Sequence, residues 1–403
     1  MSQIPKPNVL FLVTSYVRNK KDQSAWHDHL KECAKQGVDY DVVMPHDNED
    51  SKSVEVIDKI KIHRFQYFFP RSSQKLAYYG GVAHNFSNKL SAKLQMPFFM
   101  ANFFVKAMRW AKGKDVLHAM FLPSELVAVT LKKITGKPFV IWVQRTVYGP
   151  KFFRYLKGIV FKNCDYVMFN STYTRDTTLK EFKPKKYCVL HMGLDLNYFK
   201  PMAKEACRKQ LGLPPNKKIL FTVGRFVEKK GFEYLIDAMS KVKTKNLVCV
   251  IGGSGPLDEK FKQMVNEKGL GGKIIFPGWV SNKEVRLWMN AADVFVVPSI
   301  FDSRGETETL GIVAVEAIAC GTPTIASSVG GLVDVVQHGL NGFRVKQKSS
   351  RDIAEKIDMI FSKPGLVDVL GKNARKYAQE NYTVKQAVDK ILDVYKEVLD
   401  SKS

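Results

Sequence analysis

The chain has 403 residues, 45% of them apolar and 25% charged, with 63 Lys and Arg against 39 Asp and Glu. At roughly 150 residues per domain this allows two or three full cores, and it excludes a disordered chain, a collagen-like one and a small disulfide scaffold. The net charge of +24 is concentrated: residues 1–200 carry 32 cations and 16 anions, and between Lys59 and Lys162 nineteen Lys or Arg meet only Asp115 and Glu125.

The first apolar run, Val9 to Val13, is short, lacks a small-residue cleavage site and reads as a buried strand rather than a targeting segment. A helical stretch follows at Trp26 to Gln36, then a strand at Asp41 to Met44. Asp39-Tyr40-Asp41 at its start has the form of a metal-binding Asp-x-Asp, but reads here as two solvated acids. From Phe65 to Trp110 cations interleave with aromatics. The apolar piece of this stretch, Met96 to Met108, falls short of the ~20 residues that span a bilayer. Short strands are then expected at Val116 to His118, Phe139 to Val143, Tyr166 to Asn170 and Tyr187 to Leu190, with a helix at Glu125 to Thr135.

After Pro201 the alternation restarts, with strands at Ile219 to Val223, Leu247 to Ile251, Lys273 to Phe276, Val294 to Val297 and Thr324 to Ala326. A restarted strand-helix rhythm predicts two doubly wound α/β domains rather than one long sheet. Val384 to Leu399 places apolar residues at three-to-four spacing, an amphipathic helix. The six cysteines are scattered and read as reduced packing residues of a cytoplasmic protein; the histidines form no cluster at metal spacing.

Chemistry concentrates in three loops of the second half. Gly224-Arg225 closes a strand, and Lys230-Gly231 opens a helix; two cations beside a helix start suit a diphosphate, although a solvated loop would look similar. Gly252-Gly253-Ser254-Gly255-Pro256 follows a parallel strand at the end where open α/β sheets bind ligands. From Leu310 to Ala319 nearly every residue is apolar, so a buried helix is expected, stopped by Gly321 and Pro323. Glu316 is its single charge, and a buried carboxylate needs either an ion-pair partner or a ligand. Glu308 lies just ahead of the helix, whose first amides around Leu310, Gly311 and Ile312 are a natural anion site.

These residues, with Pro277-Gly278, Glu308-x7-Glu316, Gly321-Thr322-Pro323, Val329-Gly330-Gly331 and Asn341-Gly342, resemble the retaining family-four glycosyltransferases of the GT-B fold. The resemblance runs in order from about Ile219 to Val345, and more weakly through the first half. It implies two Rossmann-like domains facing a central cleft: an acceptor-binding domain at 1–198, a nucleotide-sugar domain at 199–380, and a helix at 381–403 packing back on the first. It implies that Arg225 and Lys230 hold the donor diphosphate, with Gly224 beside them. Glu316 would accept from the ribose, Glu308 would lie beside the sugar, and the amides of Leu310, Gly311 and Ile312 would face phosphate or sugar. The base would rest near Gly253 and Gly278 to Val280. No metal and no cofactor beyond the nucleotide-sugar is implied.

The sequence departs from the family twice. The loop Thr14 to Lys21 has no glycine, and Gln144 stands where the family has a histidine; glutamine cannot take up a proton near neutral pH. Glu306 rivals Glu308, but the x7 spacing and the adjoining Leu310-Gly311 favour Glu308. Ser15, His118 and Gln144 are the acceptor-region candidates. The basic, aromatic segment points to an anionic membrane surface and a lipid-linked or glycan acceptor, on the inner face of the cytoplasmic membrane. Two alternatives stand beside this: a weakened GT-B protein that binds polyanions, and a synthase with a small soluble sugar or sugar-phosphate acceptor. The complete diphosphate set argues against nucleic acid as the partner.

Overall fold

The computed structural model describes residues 6–16, 25–48, 50–78, 81–146 and 150–401. The chain divides into two compact units. One comprises residues 1–170, 174–193 and 384–403, the other residues 171–173 and 194–383.

The first unit is built on eight strands: β1 (Asn8–Leu12), β2 (Asp39–Pro45), β3 (Val54–Ile57), β4 (Ile60–Phe65), β5 (Val116–Ala119), β6 (Phe139–Val143), β7 (Tyr166–Phe169) and β8 (Tyr187–Val189). Their order is β3-β4-β2-β1-β5-β6-β7-β8, parallel except for β3 against β4. Strands covered on both faces read as continuous apolar runs, which is why β1, β6 and β7 stand out in the sequence. Alternate side chains feed separate cores. Val9 and Phe11 join the helix Ala25–Lys35 and the C-terminal helix Val384–Asp400 on one face, while Leu10 and Leu12 join Leu90–Ala111 and Leu122–Thr135 on the other.

The C-terminal helix is thus part of the first unit's core. Ala387, Val388, Ile391, Leu392, Tyr395 and Val398 are all buried in it. The Tyr395 hydroxyl lies 3.0 Å from that of Tyr40 and 2.7 Å from His118 Nδ1. His118 is 2% exposed, and burial pushes its imidazole down to about 3, so it is neutral.

β3 and β4 were not legible as strands, because Glu55, Lys61, His63 and Arg64 break the apolar pattern. Each of the two buried ones has a charged partner on another strand, although His63 Nδ1 and Arg64 Nε are buried without a hydrogen bond. Arg64 pairs with Glu55 at 3.0 Å. His63 bonds Asp41 and stacks on Trp110, ring centroids 3.7 Å apart. The reading of Asp39 and Asp41 as solvated acids is corrected for Asp41, which is 4% exposed. Burial pushes its carboxyl up, but His63 and Lys114, each at 2.5 Å, outweigh that and hold it at about 2. Lys61, the register neighbour of Asp41 on β4, is exposed and pairs instead with Asp39 at 3.5 Å.

The 22-residue helix Leu90–Ala111 contains the segment Met96 to Met108. Ala92, Gln95, Phe99, Phe103, Ala107 and Ala111 face the sheet, whereas Leu90, Leu94, Phe98 and Val105 are more than half exposed. Among the described residues no helix is long and apolar enough to cross a membrane.

The second unit is a six-stranded, all-parallel sheet of β9 (Lys218–Val223), β10 (Leu247–Gly252), β11 (Ile274–Ile275), β12 (Val294–Val297), β13 (Thr324–Ser327) and β14 (Gly342–Val345), in the order β11-β10-β9-β12-β13-β14. β14 escaped the sequence reading because a glycine and Arg344 interrupt it. Strand order reverses between β9 and β12, so the chain leaves that pair in opposite directions and opens a crevice at their carboxyl ends.

Candidate active site

The loops leaving β9 and β12 are the ones the sequence singles out. After β9 come Gly224 and Arg225, then a short 3₁₀ turn, Glu228–Lys230. Gly231 ends that turn with φ of 63°, and a Cβ there would lie 2.1 Å from the Pro298 carbonyl oxygen. Only glycine meets both conditions. The loop after β12 thereby packs directly on the first, and Ile300 N donates to the Lys229 carbonyl at 2.9 Å.

This packing sets Lys230 Nζ 2.7 Å from Glu308 Oε1, with side chains 17% and 14% exposed. Burial pushes the Glu308 carboxyl up, but Lys230 and Lys229, helped by the Ser299 hydroxyl, hold it below the usual range. Glu306, the rival, is 39% exposed; it faces Lys229 at 3.7 Å and Arg304 at 3.9 Å. The turn carrying it is locked from within by Asp302, whose Oδ1 accepts from Glu306 N at 2.8 Å. Glu308 is fixed through its backbone as well, its carbonyl accepting from Gly331 N at 3.0 Å. That contact accounts for the Val329-Gly330-Gly331 motif.

The apolar helix runs Ile312–Ala319 and starts two residues later than expected. Gly311, at φ of 83°, is its N-cap, a left-handed conformation that ends the loop rather than continuing the helix backwards to Leu310. The amides at this start have no intrahelical acceptors. Glu316 lies deep but keeps partial solvent contact, and burial, only partly offset by Lys230, raises its carboxyl to about 8. Among the described residues no cation or hydrogen-bond donor is paired with it. Of the two ways to satisfy a buried carboxylate, the internal ion pair is not used.

Arg225 is exposed and has no ion pair among the described residues. Gly253 N donates to the Gly278 carbonyl at 2.7 Å, joining the loops after β10 and β11. Val280 is 6% exposed, but its neighbour Trp279 is 74% exposed. A large aromatic presented to solvent at the end of a parallel sheet is a candidate contact that sequence reasoning passed over; its position after Pro277-Gly278 was the available signal. Thr307 was also missed. Its hydroxyl is buried without a partner, one residue from Glu308.

The structure gathers Gly224, Lys230, Glu308, Leu310, Gly311, Ile312 and Glu316 around the β9–β12 switch point. The acceptor-region candidates lie in the other unit, on or just past the adjacent strands β1, β5 and β6. Ser15 is exposed just past β1; Val17 to Lys21 of its loop lie outside the described residues. Gln144 follows β6, its carbonyl accepting from Asn170 at 3.1 Å and its Nε2 buried without a partner. His118 is a core residue under the C-terminal helix. Among the described residues no three His, Cys, Asp or Glu side chains converge as metal ligands.

Two open sheets, one parallel throughout and one parallel but for β3, with paired and unpaired charge at the switch point of the second unit's sheet, define an α/β protein of the Rossmann type. The model of glycosyl transferases group 1 matches residues 203–377, and that of glycosyltransferase family 4 matches residues 24–198. The chain belongs to this glycosyltransferase family, and its fold is GT-B. An uncharacterised glycosyltransferase of Methanocaldococcus jannaschii is 29% identical over 299 residues, covering 70% of this chain and 75% of its own. A D-inositol 3-phosphate glycosyltransferase of Catenulispora acidiphila is 31% identical over 228 residues, 54% of this chain and 53% of its own, so the match spans about half of that relative. Among solved structures, the sucrose-phosphate synthase of Thermosynechococcus elongatus superposes with a TM-score of 0.80 at 23% identity, over 98% of this chain and 100% of the other. HepE of Anabaena, solved in complex with UDP, gives 0.77 at 19% identity, over 97% and 100%. At these identities the two structures speak to the fold.

Proposed function

We propose that the protein is a retaining glycosyltransferase that moves a sugar from a nucleotide-sugar to a hydroxyl acceptor. The observation that carries this reading is Glu316, a buried carboxylate without a protein partner, held at a switch point beside Lys230 and the start of a helix. A ribose, whose hydroxyls can donate, supplies what Glu316 lacks. Arg225 and Lys230 hold the diphosphate, aided by the amides of Leu310, Gly311 and Ile312, and stabilise the charge that develops on it as the glycosidic bond breaks. Glu308, aligned by Lys230, lies beside the sugar. The base rests near Gly253 and Gly278 to Val280. With no general base assigned, the leaving phosphate takes the acceptor proton on the face it departs from, as the family resemblance implies. The reading assigns no role to a metal. The HepE structures with UDP and with UDP-glucose support a nucleotide-sugar donor for this fold.

The acceptor is a lipid-linked or glycan hydroxyl at the cytoplasmic membrane face. In support, Asp115 and Glu125, the two acids of the basic stretch, are engaged internally with Asn8 and Lys157, which leaves the outer side of Leu90–Ala111 both apolar and cationic. A small soluble acceptor is the second reading, favoured by the relatives named for inositol phosphate. Flotation with anionic vesicles separates the two.

Calorimetry with UDP, GDP and ADP tests the donor site, and at least one of them should bind. Arg225→Ala is expected to lower turnover by ~10²–10³-fold with the melting temperature unchanged. Failure of all three to bind, or near-normal transfer by this variant, would sink the reading.

A further inference from the structure

The cations of the first unit are not spread evenly over its surface. Arg64, Arg71, Lys106 and Arg109 line a single cavity of about 330 Å³, together with His46 and Ser53, and no carboxylate is among its lining residues. Four segments distant in sequence build it: the turn after β2, the entry to β3, the end of β4 with the 3₁₀ turn Arg71–Ser73, and the flank of Leu90–Ala111 carrying Lys106 and Arg109.

The charges are held there rather than left to avoid one another. Arg64, 1% exposed, is anchored by Glu55 and by the Lys52 carbonyl at 3.1 Å. Arg71 spends one end of its guanidinium on the Asn48 carbonyl and on Ser51, while its Nε is buried without a hydrogen-bond partner. Lys106 and Arg109 have no ion-pair partner among the described residues. The neighbouring groups register the resulting potential. Burial, then Arg71, Arg64 and Lys106, push the His46 imidazole down to about 4. Burial and the charge of Arg109 lower the Lys106 ammonium as well. Uncompensated cations facing one concavity repel one another, and a buried donor without an acceptor is costly. Both penalties are relieved by a multiply charged anion with several acceptor oxygens.

We propose that this cavity is a phosphate-binding site, separate from the donor site and located in the other unit. The guanidinium of Arg109 can bind two phosphoryl oxygens at once, and Lys106 adds a point charge. Arg64 and Arg71, fixed by their own contacts, supply positive charge that cannot swing away. The phosphate can come from a free phosphorylated solute or from a lipid headgroup. Exposed Phe98 and Val105 on the same helix, and Phe69 two residues before Arg71, place apolar side chains beside the cations in the manner of a headgroup contact.

The test uses the full chain with inorganic phosphate by calorimetry, and with phosphatidylcholine vesicles with and without phosphatidic acid by co-sedimentation. The double variant Lys106→Ala/Arg109→Ala alters two side chains on the outside of a helix and should keep its melting temperature. It is expected to weaken phosphate binding by roughly ten- to a hundred-fold. Arg225→Ala, in the donor site, should leave this binding unchanged. Binding to phosphatidic acid vesicles that needs Lys106 and Arg109, and also falls in Phe98→Ser/Val105→Ser, assigns the site to a headgroup; binding of free phosphate alone assigns it to a soluble ligand. The proposal is overturned if neither probe binds, if the double variant binds as the wild type does, or if Arg225→Ala abolishes the phosphate heat.

Discussion

Two buried carboxylates, one in each unit, are treated in opposite ways. Asp41 in the first unit is met by His63 and Lys114, and its carboxyl is held at about 2. Glu316 in the second is left without a partner, and burial lifts it to about 8. Asp41 sits among other charged residues, Asp39, Lys61, His63 and Lys114, whereas Glu316 is the single charge of an apolar helix. The difference shows that an internal carboxylate serves the fold where the protein completes its hydrogen bonds, and is available to a ligand where it does not.

The comparison can be broken most forcefully at Asp41. Asp41→Ala leaves the Lys114 ammonium, 8% exposed, without its closest partner and should cost about 3–5 kcal/mol in urea unfolding. In the wild type the same carboxylate makes the fold acid-sensitive. Its folded value lies below its unfolded one, so its contribution is complete above pH 4 and is lost as pH falls towards about 2. A variant as stable as the wild type at both pH values would show that the network is ornamental.

Glu316 should show the reverse sign. A carboxyl raised in the folded state is neutral in both states below its ordinary value of 4.5, and stability is lost as pH rises from there towards about 8. Glu316→Gln removes that loss. Its melting temperature should match the wild type near pH 4.5 and exceed it near pH 8 by an amount worth up to ~4 kcal/mol, at about 1.4 kcal/mol per pH unit between 4.5 and about 8. Parallel melting curves across that range would mean that solvent already satisfies the carboxylate.

Lys230 and Glu308 lie between these extremes, as a paired but partly exposed couple. Lys230→Ala should destabilise by ~2 kcal/mol because Glu308 is left buried beside fewer cations, and adding Glu308→Gln should restore the denaturation midpoint without restoring transfer. Simple loss of activity with unchanged stability, which sequence reasoning alone would expect of a diphosphate clamp, is the outcome that contradicts the pairing.

The second unit's site was largely legible, because it depends on backbone loops whose glycines and charges are adjacent in sequence. Gly231 and Lys230 are neighbours, and Glu308 and Glu316 are eight apart across a recognisable apolar helix. The first unit was harder. β4 interrupts Ile60 and Ile62 with Lys61, His63 and Arg64, and contacts from outside the strand, Asp41 and Trp110 for His63, Glu55 and the Lys52 carbonyl for Arg64, are what permit the last two to be buried. The basic cavity draws on residues 46, 53, 64, 71, 106 and 109, whose proximity is tertiary and has no local pattern. Gly311 illustrates a smaller failure: an apolar run predicts helix from Leu310, but one left-handed residue moves the start to Ile312.

The membership of Val384–Asp400 in the first unit's core has a consequence for how the chain matures on the ribosome. The second unit is nearly continuous in sequence, so its sheet can close as soon as residue 383 has emerged. The first unit, although synthesised earlier, has only Ala25–Lys35 on one side of its core until the helix Val384–Asp400 arrives, and Tyr40 and His118 have no Tyr395 to bond until then. Order of synthesis and order of completion are therefore inverted for the two units, and part of the first unit's apolar sheet face stays uncovered while the second unit is made.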